Sequence, residues 1–329
     1  MKLGGLGDVF LSTIVLDSLL GYFKSATLDY FVEEAGKAAI SDDARVHSIF
    51  VLDKKRMNPV AVMRAIRRHR YDMVIDLFGN PRSAILTFFS GATYRVGLDY
   101  GWRKHLYSIV GQASRENLHG AEVNLQVLAA MQIPRRATML SFRLSSQDVA
   151  YAEDFWQRRE LHGKFVLGVL PAGSWPSKRC EPFKLAEIAS AIASRYNAEI
   201  LVVWGPSDES DALEIERRAK TPVILAPRAS LTQNVALLSR CRAIIANDSG
   251  PMHIASSFRV PILCIYGPTN PEGPYGGIHG WVRNEGLECL VCNRLHCPIQ
   301  HQCMTELPIH RVMAAFEEML RKNGINVPG

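Results

Sequence analysis

No stretch of the sequence approaches the ~18 uninterrupted apolar residues that a membrane-crossing helix requires. The opening Met1-Lys2-Leu3-Gly4-Gly5 lacks the basic segment and long apolar run of a secretion signal. From these two absences the expected location is cytoplasmic, or peripheral on a membrane. No short tandem repeat is evident. No Gly-x-Gly-x-x-Gly follows an apolar strand, which weakens the case for a nicotinamide-dependent oxidoreductase. The net charge of +6 would suit a nucleic acid, but no recognisable nucleic-acid-binding module accompanies it. With 47% hydrophobic and 21% charged residues, the composition is also far from that of a disordered chain.

What is there points to two domains. A chain of 329 residues exceeds the size at which one core usually stops growing. Strand-like apolar runs (28–32, 48–52, 73–77, 165–170, 199–204, 243–246 and 261–265) alternate with helical patterns at 58–69, 183–194 and 231–238. Such alternation predicts an α/β protein with parallel sheets covered on both faces. It occurs once before about residue 140 and again after about 160. The polar segment Ser141 to Gly163 places the boundary near residue 145, with Asp148 to Arg159 as a linking helix and Ile309 to Lys322 as a terminal amphipathic helix. Active sites of doubly wound sheets lie beyond the carboxyl ends of the strands, and the motifs fall there.

Gly4-Gly5-Leu6-Gly7-Asp8 reads as a glycine-rich turn feeding a helix, with Asp8 either a helix N-cap or a general base. Pro171-Ala172-Gly173-Ser174-Trp175-Pro176-Ser177-Lys178-Arg179 follows an apolar strand. Its hydroxyls and adjacent cations suit a diphosphate, Lys178 as a mobile point charge and Arg179 as a planar fork; a solvated basic loop is the bland alternative. After the strand ending at Trp204, the Asp208-Glu209 pair could hold ribose hydroxyls or cap the next helix. Asn247-Asp248-Ser249-Gly250-Pro251-Met252-His253 supplies a cap-type Asp and Ser, a Gly, a Pro for the first helical turn, and a His one turn in. Amides there would face an anion, and His253 could donate to a phosphate or sugar oxygen. Tyr266-Gly267-Pro268-Thr269-Asn270-Pro271 closes the next strand.

The seven cysteines divide. Cys180, Cys241 and Cys264 fall in helix- or strand-like segments and read as small buried hydrophobes. Cys289, Cys292, Cys297 and Cys303 cluster within fifteen positions, a spacing open to a structural zinc site, to reduced packing cysteines or to a redox-labile pair. Basic residues gather at Arg64, Arg67, Arg68 and Arg70, and again at Arg95, Arg103, Lys104 and His105. With a pI near 8.9, these clusters suit an anionic partner, although an exposed helix face explains the first without function.

The ordered set GLGD, PAGSWPSKR, NDSGPMHIA and YGPTNP resembles glycosyltransferase family 9, the lipopolysaccharide core heptosyltransferases, and closely follows the heptosyltransferase II type. The resemblance implies a GT-B architecture, two Rossmann-like domains facing a cleft, with an acceptor domain at 1–145 and a nucleotide-sugar donor domain at 146–329. It implies an inverting glycosyltransferase that moves a heptose from ADP-heptose to the lipopolysaccharide inner core and needs no cofactor or catalytic metal. Carried over by motif, Asp8 matches the base, Lys178 the donor-phosphate lysine, and Asp248 and His253 the NDSGPMH contacts. Ser174, Ser249 and Gly250 stand in the same donor motifs, and Glu209 stands near the ribose-binding acid. The implied partner is an anionic lipid A/Kdo core acceptor at the cytoplasmic face of the inner membrane, with Arg64, Arg67, Arg68, Arg103 and Lys104 as its docking candidates. Two other readings stay open: a related transferase using another nucleotide sugar, and a nucleotide-sugar-binding protein without turnover. One feature departs from the family: a strand normally precedes the GLGD turn, whereas only three residues precede Gly4 here. The first strand is therefore expected to be missing and the first domain weakened, or the true start to lie upstream.

Overall fold

Apolar runs too short for helices become parallel strands, and the order in which they pair decides where the connecting loops gather. In the first of two units, Met1–Ser141, β1 (Asp29–Val32) pairs with β2 (Ser48–Val51). In the same unit β3 (Met73–Ile75) pairs with β4 (Tyr94–Leu98), which pairs with β5 (Ile109–Gly111); all three pairings are parallel. The computed structural model describes residues 1–52, 59–114 and 118–326. Asn58, expected to open a helix reaching His69, lies outside the described residues, and that helix is described over Pro59–Arg68.

The place expected to lack a strand is held by Met1, Lys2 and Leu3. Lys2 N–H donates to Phe31 O (2.9 Å) on the β1 side. On the other side Leu77 N–H donates to Met1 O (3.0 Å), and the Met1 amino nitrogen donates to Ile75 O (2.7 Å). Three residues thus bridge the two small sheets and satisfy main-chain groups that burial would otherwise leave unpaired. Leu3 is buried with Phe31, Leu52, Ile66 and Leu86.

The second unit, Phe142–Gly329, holds β6 (Val166–Leu170), β7 (Glu199–Val202), β8 (Val223–Leu225), β9 (Ala243–Asn247), β10 (Ile262–Tyr266) and β11 (Gly280–Arg283). They form one parallel sheet in the order β11-β10-β9-β6-β7-β8. Strands β6, β9 and β10 are buried at every residue, because helices cover both faces. Side chains alternate between the faces: Leu167, Val169, Ile245 and Ile265 pack in one core with the Pro182–Tyr196 and Ile309–Lys322 helices. Val166, Leu170, Ile244 and Ala246 pack in the other. The helix expected as a linker starts at Ser146, capped by Ser145 and Asp148 in a reciprocal box. It belongs to the second unit: Ala152, Phe155 and Trp156 are buried against that sheet, and Thr232 Oγ1 donates to Asp148 (2.8 Å).

From β6 the chain winds outward through β7 and β8, then returns to β6's other side and winds away through β9, β10 and β11. The loops after β6 and β9 therefore diverge and leave a crevice at their carboxyl ends, the place where open α/β sheets bind ligands. No helix among the described residues is long and apolar enough to cross a membrane.

Candidate active site

The loop after β6 is tied to the loop after β9 by one buried amide. Asn247, the last residue of β9, donates from Nδ2 to Pro171 O (2.9 Å) and accepts from Cys180 N–H at Oδ1 (3.1 Å), so it grips both ends of the 171–180 segment. Within that segment Pro176–Lys178 forms one 3-10 turn. From it Lys178 reaches Asp248, donating from Nζ to Oδ2 at 2.6 Å, while its ammonium lies 4.9 Å from the Trp175 ring centre. The loop after β10 adds Thr269, whose Oγ1 donates to the same Asp248 oxygen (3.0 Å). His253, in the Gly250–Ala255 helix that Ser249 caps, brings Nε2 to 3.7 Å from the other carboxylate oxygen. Four residues from three loops meet at the switch point.

The electrostatics follow from that meeting. Burial raises the Asp248 pKa, but His253 and Lys178 outweigh it and hold the carboxyl well below the usual carboxylate range. Asp248 stays ionised and Lys178 is poised beside it. An ammonium on a flexible stem, backed by an aromatic face and held by a carboxylate it can leave, is suited to receive a phosphate oxygen.

One neighbour departs from expectation. Arg179, read as a fork for a diphosphate, turns the other way. It donates to Asp208 (2.8 Å), to Asp211 (2.6 Å) and to Gly173 O (2.9 Å), fastening the loop to the Glu209–Arg218 helix. Asp208 is buried and also accepts Gly205 N–H (3.2 Å), whereas Glu209 is exposed at the first position of that helix. Ser174 is exposed on the loop.

The cysteine-bearing segment packs against the Lys178 turn. Ser177 Oγ donates to Arg294 O (2.5 Å), Ser177 N–H donates to Leu295 O (3.2 Å), and His301 Nε2 lies 2.8 Å from Ser177 O. All seven cysteines are free, and Cys180, Cys241 and Cys264 are buried as expected of small hydrophobes. In the late cluster Cys289 and Cys292 are exposed while Cys303 is buried, its Sγ lying 2.7 Å from where a Cβ on Gly267 would stand. Among the described residues no group of three or more His, Cys, Asp or Glu is placed to hold a metal ion.

In the first unit the helix after the glycine turn is Leu6–Ser12, capped at Gly5 by no side chain. Asp8 is therefore not the N-cap; it stands in the first turn with its carboxylate exposed. Its side chain lies over Gly4, where an added Cβ would come within 2.7 Å of the Asp8 Cβ, so only glycine leaves Asp8 this position. Nearby in sequence to no motif, Asp76 follows β3 and is buried. It accepts from Phe78 N–H (3.0 Å), Gly79 N–H (2.9 Å), Ser83 Oγ (2.8 Å) and Tyr107 Oη (2.7 Å). Of the basic clusters, Arg64, Arg67 and Arg68 are exposed on their helix. Arg103 donates to Tyr100 O (3.1 Å), and Lys104 pairs with Asp99 (3.0 Å).

The family profile described as Glycosyltransferase family 9 (heptosyltransferase) matches residues 59–302, which is most of the chain. The chain belongs to glycosyltransferase family 9. As a family 9 member it is a glycosyltransferase enzyme. It is 24% identical over 340 residues to lipopolysaccharide heptosyltransferase 3 of Escherichia coli (strain K12), with 95% of each chain covered. The glycosyl transferase family 9 structure from Veillonella parvula DSM 2008 superposes with a TM-score of 0.79 at 22% identity, covering 97% of this chain and 95% of that one. The E. coli ADP-heptose lps heptosyltransferase II structure superposes with a TM-score of 0.73 at 20% identity, covering 98% and 100%. These likenesses establish the fold as the heptosyltransferase one, GT-B. Asn247, Thr269 and Asp76 are the residues that reading the family 9 sequence did not single out. Asn247 stands inside the NDSGPMHIA motif as the polar residue closing a buried strand, which was its available signal, and Thr269 stands in the YGPTNP loop after β10.

Proposed function

We propose that the protein transfers a heptose from ADP-heptose to the inner core of lipopolysaccharide, with inversion at the anomeric carbon. The observation that carries this is the Lys178–Asp248–Thr269–His253 constellation at the switch point of the second sheet, in a chain of the heptosyltransferase family. Lys178 leaves Asp248 for the donor diphosphate. Lys178 and the backbone amides around Ser249 and Gly250 stabilise the charge that grows on the departing ADP as its bond to the anomeric carbon breaks, and His253 donates to a phosphate or sugar oxygen. Ser249 and Gly250 line the same loop. Asp8 takes the proton from the acceptor hydroxyl as its oxygen attacks the anomeric carbon from the face opposite ADP. Asp8 is exposed, which leaves its carboxylate open to that hydroxyl. Glu209 and Ser174 are donor contacts in this reading, for the ribose and the diphosphate. Arg103 and Lys104 contact an anionic lipid A/Kdo acceptor, and the enzyme works at the cytoplasmic face of the inner membrane without a metal.

Transfer from ADP-heptose to a Kdo-containing lipid A acceptor tests this directly. Asp8→Ala should abolish product while ADP affinity stays within about twofold, and Lys178→Ala should weaken both. Undiminished turnover by Asp8→Ala refutes the base assignment. Product from a competing nucleotide sugar but none from ADP-heptose replaces the donor.

A further inference from the structure

The Pro81–Phe88 helix is apolar on the side where a surface helix is ordinarily polar. Its inward residues Ser83, Ala84, Leu86 and Thr87 are buried. Pro81, Ile85, Phe88 and the capping Phe89 follow at i, i+4, i+7 and i+8, which is one stripe of a helix, and all four are exposed, the two phenylalanines at 43% and 46%. Beside them packs the 3-10 turn Gly101–Leu106, which exposes Trp102 at 58%. Arg95 joins the two, its guanidinium 5.8 Å from the Phe88 ring centre and its Nε donating to Leu106 O (3.3 Å). Tyr94, next to it, is also exposed.

The rim of this strip is cationic. Between Leu77 and Ser114 the sequence carries a single carboxylate besides none in the helix itself, Asp99, which is already paired with Lys104. Against it stand Arg95, Arg103 and His105, while Arg82 is paired with Glu33. The Arg67 side chain lies along Gly91, 3.2 Å from where a Cβ would stand, and so brings Arg67 to the same edge. A second copy of the chain fits this strip badly, because two-fold pairing would set cations against cations.

We infer that this strip seats the enzyme on an anionic lipid bilayer. Phe88, Phe89 and Trp102 enter the headgroup layer, and the surrounding arginines meet lipid phosphates. The inference rests on the reading of a lipid-anchored acceptor, which requires an enzyme that works at a bilayer surface.

The test is co-sedimentation of the whole protein with vesicles of pure phosphatidylcholine and of phosphatidylcholine mixed with phosphatidylglycerol, comparing wild type with the Phe88→Ser/Phe89→Ser variant. Both phenylalanines are exposed, so the variant should keep its thermal transition. Wild type should bind the phosphatidylglycerol vesicles and release in salt, and the variant should bind roughly tenfold or more weakly. Transfer to a deacylated, water-soluble acceptor should be equal in both proteins. Equal vesicle binding by the variant overturns the inference, as does equal binding to neutral vesicles. So does concentration-dependent dimerisation of wild type that the variant loses, with no vesicle binding. If neither protein modifies the soluble acceptor yet the vesicle difference holds, the transferase reading fails and the docking strip stands.

Discussion

Removing the Asp248 carboxylate should destabilise the second unit more than removing the whole Lys178–Asp248 pair. The charged atoms are 2.6 Å apart, which at an effective dielectric near 20 gives a gross attraction of about 6 kcal/mol. Much of this is offset by desolvation, since the two side chains are only 17% and 13% exposed. Asp248→Ala leaves an ammonium inside beside the Trp175 ring and should cost about 4 kcal/mol. Lys178→Ala leaves the carboxylate with Thr269 and His253 and should cost about 2 kcal/mol. The double variant buries no unpaired charge and should cost about 3 kcal/mol, which makes the coupling about 3 kcal/mol. At about 2 to 4 °C per kcal/mol, Asp248→Ala lowers the melting of the second unit by roughly 8 to 16 °C and the double variant by less. Thermal melts of all four proteins at neutral pH read this out. Additive single effects, to within about 0.5 kcal/mol, would refute the idea that the pair is coupled. The pH dependence has a fixed sign. The folded carboxyl is depressed, so its contribution is complete above the ordinary value of 3.8 and fades as pH falls below it. The advantage of wild type over Asp248→Asn should shrink in that acid range.

Asn247→Ala should cost about 2 to 3 kcal/mol by orphaning Pro171 O and Cys180 N–H, and should weaken ADP binding through the loosened 171–180 loop, as thermal melts and calorimetry can show. His279 is held neutral by burial, with its pKa lowered from 6.5 to about 4. The unfolded chain takes up that proton first, so stability should fall by about 3 kcal/mol as pH drops from about 6.5 to 4, and His279→Asn should flatten that slope. Iodoacetamide at neutral pH should label Cys289 and Cys292 well before Cys303, whose thiol burial and the neighbouring Cys297, Cys289 and Cys292 push up to about 11; peptide mass spectrometry would show the order.

Much of the second unit is legible in the sequence. The runs ending at Leu170, Ala246 and Ile265 became strands because each is buried on both faces and so needs no polar alternation. Strands β4, β5, β8 and β11 escaped. β8 and β11 are edges of their sheet, β5 has three residues, and Tyr94-Arg95-Val96-Gly97-Leu98 mixes exposed and buried positions. The Ser145–Asp148 box marked a helix start correctly, but a capping signal cannot tell which sheet the helix will cover.

The sequence by itself determined the local chemistry: an α/β alternation, glycine where Asp8 must lie over the chain, and cations and carboxylates at strand ends. Local spacing suffices there, because propensity, capping and periodicity act over a few residues. Tertiary structure alone decided which of those charges meet. Lys178 and Arg179 are adjacent, yet one faces Asp248, 70 positions away, and the other faces Asp208 and Asp211. The difference arises because β9 returns to pair beside β6 and brings Asn247 and Asp248 to the loop that holds both cations. Likewise Met1–Leu3 is too short to read as a strand, and it holds a strand's place because the chain of β1 and β3 presents unpaired main-chain groups on either side of it.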